Sequence, residues 1–447
     1  MSALNTDLYQ LTMAAGYFVA GKADEIASFE LLVRRLPENR NFLVAAGLEQ
    51  AVEYLRTLHF DREEVDYLRS LAQFKNAPPE FFEFLTNLRF TGDLFAVPEG
   101  TPIFAHEPIA IIRAPLIQAQ LVETYLLSTF AFQTTVASKA ARCVIAAEGR
   151  PIVEFGSLRA HGPDAGILAG RAAYLAGCSG TSNAESGRRF GIPVFGTSAH
   201  SWTMAFPTEK ESFRALQRLL GVSTVYLLDT YDTIEAASVA AWLGSPLWGI
   251  RLDSGDLVAL SHRVRRILDE AGLHNAKIFA TNDLNEHRIA QLIRSGARID
   301  AFGVGTELAT SFDAPALSAI YKLVELNRAG TLHYTAKFSA EKSTLPGAKQ
   351  IYRYTDHDLI ALYSECNSEF HGAPLLRPVM VQGELIEALP SLAQVRADAQ
   401  GAIAALPNEL HSLTEFVPYS VEVSPHLLKL ADEIRQEFIR SDATQLA

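Results

Sequence analysis

Leu247-Trp248-Gly249-Ile250-Arg251-Leu252-Asp253-Ser254-Gly255-Asp256 is the stretch on which the fold turns. A short apolar run ends in a polar cluster. In the residues that follow, Leu257–Glu270, apolar Leu257, Leu260, Val264, Ile267 and Leu268 fall at helical spacing, with Arg263, Arg265 and Arg266 on the other faces. This is one strand–helix unit, and the same layout recurs between about 150 and 305. Ile152-Val153-Glu154-Phe155 leads into Gly156-Ser157-Leu158-Arg159. Ile192-Pro193-Val194-Phe195, which reads as a buried strand, leads into Gly196-Thr197-Ser198-Ala199-His200. Val225-Tyr226-Leu227-Leu228 leads into Asp229-Thr230-Tyr231-Asp232. Ile278-Phe279-Ala280 leads into Thr281-Asn282-Asp283, with a second helical pattern over 286–295, and Ile299-Asp300-Ala301-Phe302 leads into Gly303-Val304-Gly305-Thr306. Six units at roughly 20–40-residue spacing imply a parallel sheet. They fit a barrel or an open doubly wound sheet. Polar clusters after every strand, rather than after two neighbouring ones, favour the barrel, whose mouth they would ring.

The flanks read differently. Ser28-Phe29-Glu30-Leu31-Leu32-Val33-Arg34-Arg35 and Asn41-Phe42-Leu43-Val44, on either side of Pro37-Glu38-Asn39-Arg40, look like a β-hairpin. Strand-like runs return over 92–112 and 331–380. The expected fold is an irregular parallel α/β barrel, 118–330, carrying the active site. Beside it stands a second, β-rich open-faced sandwich domain with flanking helices, assembled from the discontinuous segments 1–117 and 331–447.

The chain has 447 residues, 48% of them apolar and 20% charged, the balance of a soluble globular protein with a sizeable core. A net charge of −12 argues against nucleic acid or an anionic membrane as partner, so an anionic substrate must meet a local basic pocket. Cys143, Cys178 and Cys366 are too few and too scattered for a disulfide framework or a zinc site. The start of the chain lacks the basic and apolar pattern of a signal peptide, and the apolar stretch at 102–132 is broken by Glu107, Arg113 and Glu123. A cytoplasmic protein is expected.

Each polar cluster has a bland alternative. Asp253, Ser254 and Asp256 place carboxylates and a hydroxyl where ribose hydroxyls or a Mg²⁺-bound pyrophosphate could sit, yet Ser254 or Asp256 could equally cap the next helix. Arg251, two residues before Asp253, points to the same side of its strand. Gly303-Val304-Gly305-Thr306 offers bare amides and a hydroxyl to a phosphate, but lacks the third glycine of a dinucleotide fingerprint and is followed by Glu307. His200 taken alone reads more readily as a structural hydrogen-bonding group than as a catalyst. Lys337, Lys342 and Lys349 are either an anion site or a solvated surface. His-Glu-x-x-His, Gly-x-Ser-x-Gly and Walker motifs are absent.

Together the motifs resemble one family. Thr6-Asp7-Leu8-Tyr9-Gln10-Leu11-Thr12-Met13, Phe29-Glu30-Leu31 with Arg34-Arg35-Leu36-Pro37, and Glu154-Phe155-Gly156-Ser157-Leu158-Arg159-Ala160-His161-Gly162-Pro163-Asp164 carry the likeness. So do Gly180-Thr181-Ser182-Asn183, Gly196-Thr197-Ser198-Ala199-His200-Ser201-Trp202, Asp229-Thr230-Tyr231-Asp232, Arg251 to Asp256, Phe302 to Thr306, and Lys337-Phe338-Ser339. In this order they are similar to nicotinate phosphoribosyltransferases of the type II phosphoribosyltransferase fold. The resemblance implies that nicotinate and phosphoribosyl pyrophosphate give nicotinate mononucleotide and pyrophosphate, coupled to ATP hydrolysis, with Mg²⁺ accompanying phosphoribosyl pyrophosphate and ATP. No direct metal ligand is assigned. It makes His200 the phosphorylated histidine and Asp253 a catalytic carboxylate beside the ribose. Tyr9, from a neighbouring subunit of a homodimer, and Phe155 would face the pyridine ring. Thr197 and Arg251 would lie near the nicotinate, and Arg159 also on the substrate. Gly303, Gly305 and Thr306 would hold the 5′-phosphate, and Arg34 and Lys337 the pyrophosphate end. Nicotinamide-using relatives place an Asp after the Gly-Thr pair; Ser182 stands there in this chain, which favours the acid over the amide. A nicotinamide- or quinolinate-type enzyme and a non-catalytic pyridine-nucleotide-binding barrel are the alternatives.

Overall fold

The computed structural model describes residues 2–339, 343–365 and 370–445, with side-chain surroundings through 439. Lys342 and Cys366 lie outside the described residues. The central segment forms a six-stranded sheet in the spatial order Gly180–Thr181, Ile152–Glu154, Ala301–Val304, Lys277–Ala280, Gly249–Leu252, Val225–Leu227. Every neighbouring pair is parallel. A single bridge sets Val194 beside Thr181. The spatial order follows the chain in a circle, because the Ala301–Val304 strand pairs back onto Ile152–Glu154. Among the described residues the ladder does not close between Val194 and Val225–Leu227.

This gap corrects one expectation. The run 192–195 is not a buried strand: Val194 is 49% exposed and Phe195 45%. Among the described residues its only pairing is to Thr181, whose N–H donates to the Pro193 carbonyl while the Phe195 N–H donates to the Thr181 carbonyl. Pro193 has no N–H to offer a further strand, and an edge without a neighbour on its other side stays in contact with water. The second full strand is instead Gly180–Thr181, too short to register as a hydrophobic run.

The helix Leu257–Glu270 forms as the periodicity indicates, burying Leu257, Val264 and Leu268 against the sheet. Each buried leucine contributes roughly 2 kcal/mol. Asp256 starts it by accepting from the Val258 and Ala259 N–H groups, both at 3.1 Å, so the capping alternative holds for this residue. The pattern at 286–295 becomes the helix Glu286–Arg294, capped by Asn285.

The flanking segments share a seven-stranded antiparallel sheet. In spatial order it runs Thr331–Tyr334, Ala319–Arg328, Ile26–Val33, Pro108–Pro115, Asp93–Ala96, Arg377–Val381, Glu384–Leu385. Ala319–Arg328 therefore belongs with this sheet although it precedes residue 331. The expected hairpin does not form. Ile26–Val33 pairs with Ala319–Arg328 and Pro108–Pro115, and Leu43–Val44 pairs with Pro102–Ile103. The intervening residues are anchored elsewhere: buried Arg40 pairs with Asp313 at 2.8 Å, and the Asn41 amide donates to the carbonyls of Leu410, Ser412 and Glu415. The long helix Glu123–Ala146 runs between the two parts. Leu126 and Phe130 enter the core under the antiparallel sheet, and Val136, Ala137 and Ala140 enter that of the parallel sheet. Among the described residues no helix is long and apolar enough to cross a membrane.

Candidate active site

Arg251 is the hub of the site. It lies in Gly249–Leu252, between the strands that carry Thr281 and Asp229 at their ends, and its side chain is only 17% exposed. Its guanidinium spends its fork on three partners. Nε donates to Thr281 Oγ1 at 2.9 Å, Nη1 to Thr197 Oγ1 at 3.0 Å, and Nη2 to Asp253 Oδ1 at 2.9 Å. Thr281 Oγ1 donates in turn to the same Asp253 oxygen. Strand alternation puts Arg251 and Asp253 on one side, as their spacing suggests. His200 opens the short helix His200–Met204. Its Nδ1 is 3.2 Å from Thr230 Oγ1, and its Nε2 faces Asp253 Oδ2 at 3.9 Å.

An aromatic floor lies beside this knot. The Arg251 guanidinium carbon sits 5.8 Å from the Phe155 ring centroid, and Phe155 meets Phe279 edge-to-face at 5.4 Å. Gly303 makes this possible: a Cβ there would come within 2.7 Å of Thr281 Cγ2 and 2.8 Å of Phe279 Cζ. Gly305 precedes the single turn Thr306–Ala309, whose Leu308 and Ala309 N–H groups both donate to the Gly305 carbonyl. Glu154 braces the floor from below. It is fully buried and accepts from the Gly156 N–H and from Thr181 Oγ1, the latter at 2.6 Å. Burial pushes its carboxyl above the usual carboxylate range, although the two hydrogen bonds oppose the shift.

The expected residues divide into two groups. His200, Asp253, Arg251, Thr197 and Phe155 come together directly, and Gly303 joins them through Thr281, with Gly305 and Thr306 continuing from its strand. Arg159 ends the turn Ser157–Arg159 and is exposed. Tyr9, Arg34 and Lys337 are not in this cluster. Tyr9 is 49% exposed on the helix Leu8–Val19, where burial, Glu123 and Asp7 raise its phenol above the ordinary range. Arg34 lines a separate cavity of about 360 Å³ with His106, Lys322, Lys349, Phe338 and Arg435, and its buried Nε has no partner among the described residues. Burial and the Arg34 charge lower the His106 imidazole. Lys337 is exposed next to Phe338, whereas Lys349 is buried and paired with Glu30 at 2.7 Å, so the three lysines are not one solvated surface.

Several residues escape a reading of the chain alone. Thr281 and Thr230 stand in strand-end clusters, but their partners emerge only from the order of strands. Asp229 accepts from Ser254 Oγ at 2.5 Å, while its buried Oδ1 has no partner among the described residues. Glu154 sits in an apolar run, and its signal is the carboxylate itself, placed where only a hydrogen-bonded one is tolerated.

A parallel α/β sheet with an arginine–carboxylate knot, a histidine and a glycine turn gathered at one set of strand ends has the build of an α/β enzyme with a strand-end active site. The comparisons with known proteins narrow that class. The chain belongs to the nicotinate phosphoribosyltransferase family: residues 4–131 match its N-terminal domain, 152–351 the family core and 364–431 the C-terminal domain. Nicotinate phosphoribosyltransferase pncB2 of Mycobacterium tuberculosis is 44% identical over 438 residues, covering 96% of this chain and 93% of the relative. Nicotinate phosphoribosyltransferase of Bacillus subtilis is 40% identical, covering 84% and 79%. The crystal structure of human nicotinic acid phosphoribosyltransferase superposes with a TM-score of 0.84 at 29% identity, over 96% of this chain and 99% of that one.

Proposed function

We propose that the protein forms nicotinate mononucleotide and pyrophosphate from nicotinate and phosphoribosyl pyrophosphate, coupled to ATP hydrolysis through a phosphohistidine at His200, in NAD salvage. The observation that carries this is the Arg251 fork. It ties Thr197, Thr281 and Asp253 into one unit, with His200 on one side and the Phe155 ring on the other. A flat pyridine ring suits an aromatic face, and its carboxylate suits a guanidinium. Ser182 following Thr181 adds no carboxylate to repel it. As pyrophosphate leaves the anomeric carbon, positive charge grows on the ribose, and the Asp253 carboxylate stabilises it. Gly303, Gly305 and Thr306 receive the 5′-phosphate.

His200 has a distinct task. With Nδ1 held by Thr230, Nε2 is turned toward Asp253. A phosphoryl group accepted from ATP adds charge and acceptor oxygens at the pocket, reorganising it for tight substrate binding until water removes the group. Mg²⁺ fits as a companion of the diphosphates. It is commonly held by one or two carboxylates plus substrate phosphates, and Asp229 Oδ1, which has no hydrogen-bond partner among the described residues, would be such a donor. When bound, it offsets the charge of the leaving pyrophosphate.

Tyr9, Arg34 and Lys337 lie outside the Arg251 cluster, which supports a homodimer whose sites are completed across the interface, with the partner subunit's Tyr9 covering the ring that Phe155 supports; the few, scattered cysteines favour a cytoplasmic setting. In this arrangement the parallel-sheet segment is an irregular barrel open between Val194 and Val225. The flanking segments, joined by Ala319–Arg328, form the open-faced sandwich.

Turnover with nicotinate and with nicotinamide, each with and without ATP, tests the reading. Nicotinate-dependent pyrophosphate release, stimulated by ATP, is expected. Preference for nicotinamide, or no release from either, refutes it. Mixing Tyr9→Ala with His200→Ala, which is expected to lack ATP stimulation, restores part of the ATP-stimulated rate if sites are shared between subunits, and restores none if each chain is self-sufficient.

A further inference from the structure

Joined to the glycine turn through Glu307 is a cluster of charges that the reaction itself does not use, with Lys139, Arg40, Arg142 and Glu286 buried and Glu307 and Asp313 partly exposed. Lys139, 1% exposed on the helix Glu123–Ala146, meets three carboxylates from three parts of the chain. They are Glu286 at 2.6 Å, Asp313 at 2.8 Å and Glu307 at 3.5 Å. Arg142, one turn on, pairs with Glu286 at 2.9 Å, and fully buried Arg40 pairs with Asp313 and reaches Ser311 Oγ at 3.4 Å. Three cations thus face three carboxylates. Despite burial, Arg40 and Lys139 hold the Asp313 carboxyl far below the usual range.

Glu307 is the member of this cluster nearest the chemistry. It directly follows Gly303-Val304-Gly305-Thr306 and lies in the turn Thr306–Ala309. A carboxylate next to a phosphate subsite repels the ligand unless it is paired and turned away. Lys139, buried on a helix outside the parallel sheet, pairs with Glu307 at 3.5 Å. The segment after the turn is held by the same cations, through Asp313 and through Ser311, whose φ of 43° is left-handed and needs outside support. The turn is therefore tied at Glu307 and again at 311–313 to a helix and a loop outside its own sheet.

We propose that Lys139 is a positioning residue for the phosphate-binding turn: acting through Glu307, it neutralises the carboxylate beside the subsite and fixes the turn that receives the 5′-phosphate. The proposal rests on the phosphoribosyl reading given above.

The test uses Glu307, because its carboxylate has no other ion-pair partner among the described residues, and Lys139 keeps Glu286 and Asp313 when it is changed. E307Q removes the tie. E307D keeps the charge but shortens its reach, leaving a carboxylate without its cation beside the phosphate. Binding of ribose 5-phosphate is measured by titration calorimetry, alongside KM for phosphoribosyl pyrophosphate and for nicotinate, and the melting temperature. E307Q is expected to weaken ribose 5-phosphate binding and raise KM for phosphoribosyl pyrophosphate about tenfold, below the roughly hundredfold loss that a 1 Å misplacement can bring. E307D is expected to bind more weakly still. KM for nicotinate and the melting temperature stay unchanged in both. Wild-type protein that binds ribose 5-phosphate, with either variant binding equally well, overturns the proposal alone. Wild-type protein that ignores ribose 5-phosphate removes the phosphoribosyl reading and the proposal with it. A uniform rise in both KM values with a lowered melting temperature marks a purely structural role and also overturns it.

Discussion

Replacing Arg251 by lysine keeps the charge and most of the stem length but removes the fork. The guanidinium donates to Thr281, Thr197 and Asp253 from three different nitrogens. A lysine ammonium placed against Asp253 preserves the ion pair, and Thr281 still donates to Asp253. The contacts to Thr197 and from Nε to Thr281 are lost, because a point charge cannot reach partners spread around a plane. Hydrogen bonds with a charged donor contribute about 1.5–3 kcal/mol each, and the low end applies because the side chain is partly open to water. Two such losses come to about 3 kcal/mol, a factor of roughly 100 in kcat/KM if the geometry matters only when substrate is bound. The assay is pyrophosphate release at varied nicotinate and saturating phosphoribosyl pyrophosphate, with thermal unfolding of the same samples. R251K is expected to fall about 100-fold in kcat/KM for nicotinate with a small drop in melting temperature. Activity within about threefold of wild type would refute the role given to the fork.

Other changes probe separate parts of the structure. H200A should lose ATP stimulation while keeping ATP-independent turnover, which parallel rate measurements with and without ATP resolve; stimulation that persists removes the phosphohistidine. G156A should be destabilised by about 1–3 kcal/mol and lose activity, because a Cβ there would stand 2.2 Å from Ala309 Cβ and 2.7 Å from the Gly305 carbonyl oxygen. Denaturant unfolding and turnover measure both effects. Glu107 offers a pH test. Burial and the neighbouring Asp358 push its carboxyl well above the ordinary 4.5, against the pull of Arg353. The folded state therefore holds this proton more tightly than the unfolded chain. The stability it contributes is complete below about pH 4.5 and declines as pH rises toward the folded value. E107Q keeps an acceptor for the Phe104 N–H and a donor for Asp358, so it should flatten the fall of melting temperature between pH 5 and 8. An unchanged slope would show that Glu107 does not titrate in this range.

Much of the parallel-sheet segment is legible along the chain because its strands and helices are consecutive. Leu257–Glu270 and its Asp256 cap follow from local periodicity and local hydrogen bonding. Arg251 and Asp253 fall on one side because strand side chains alternate. The run 192–195 misleads for a matching reason. Apolar composition records a preference for burial, but burial and pairing depend on the neighbours that packing supplies, and among the described residues this run has a single bridge, to Thr181. The hairpin expected at 28–44 fails similarly, since Ile26–Val33 takes its partners from 108–115 and 319–328.

Residue order alone is sufficient for the unit, a strand ending in polar residues and followed by a helix, and for the identity of the groups that reach the strand ends. It carries no information on which strand ends become neighbours. That Thr281 and Thr197 share one guanidinium depends on strand order, and on the chain returning beside its own start. Nor does residue order show that Glu307, next to the Gly303–Thr306 turn, is paired with Lys139 from a helix more than a hundred residues earlier. The reason is physical. Propensity and capping act within a few residues, whereas burial of charge and the forks of arginine are satisfied only by groups that packing brings together.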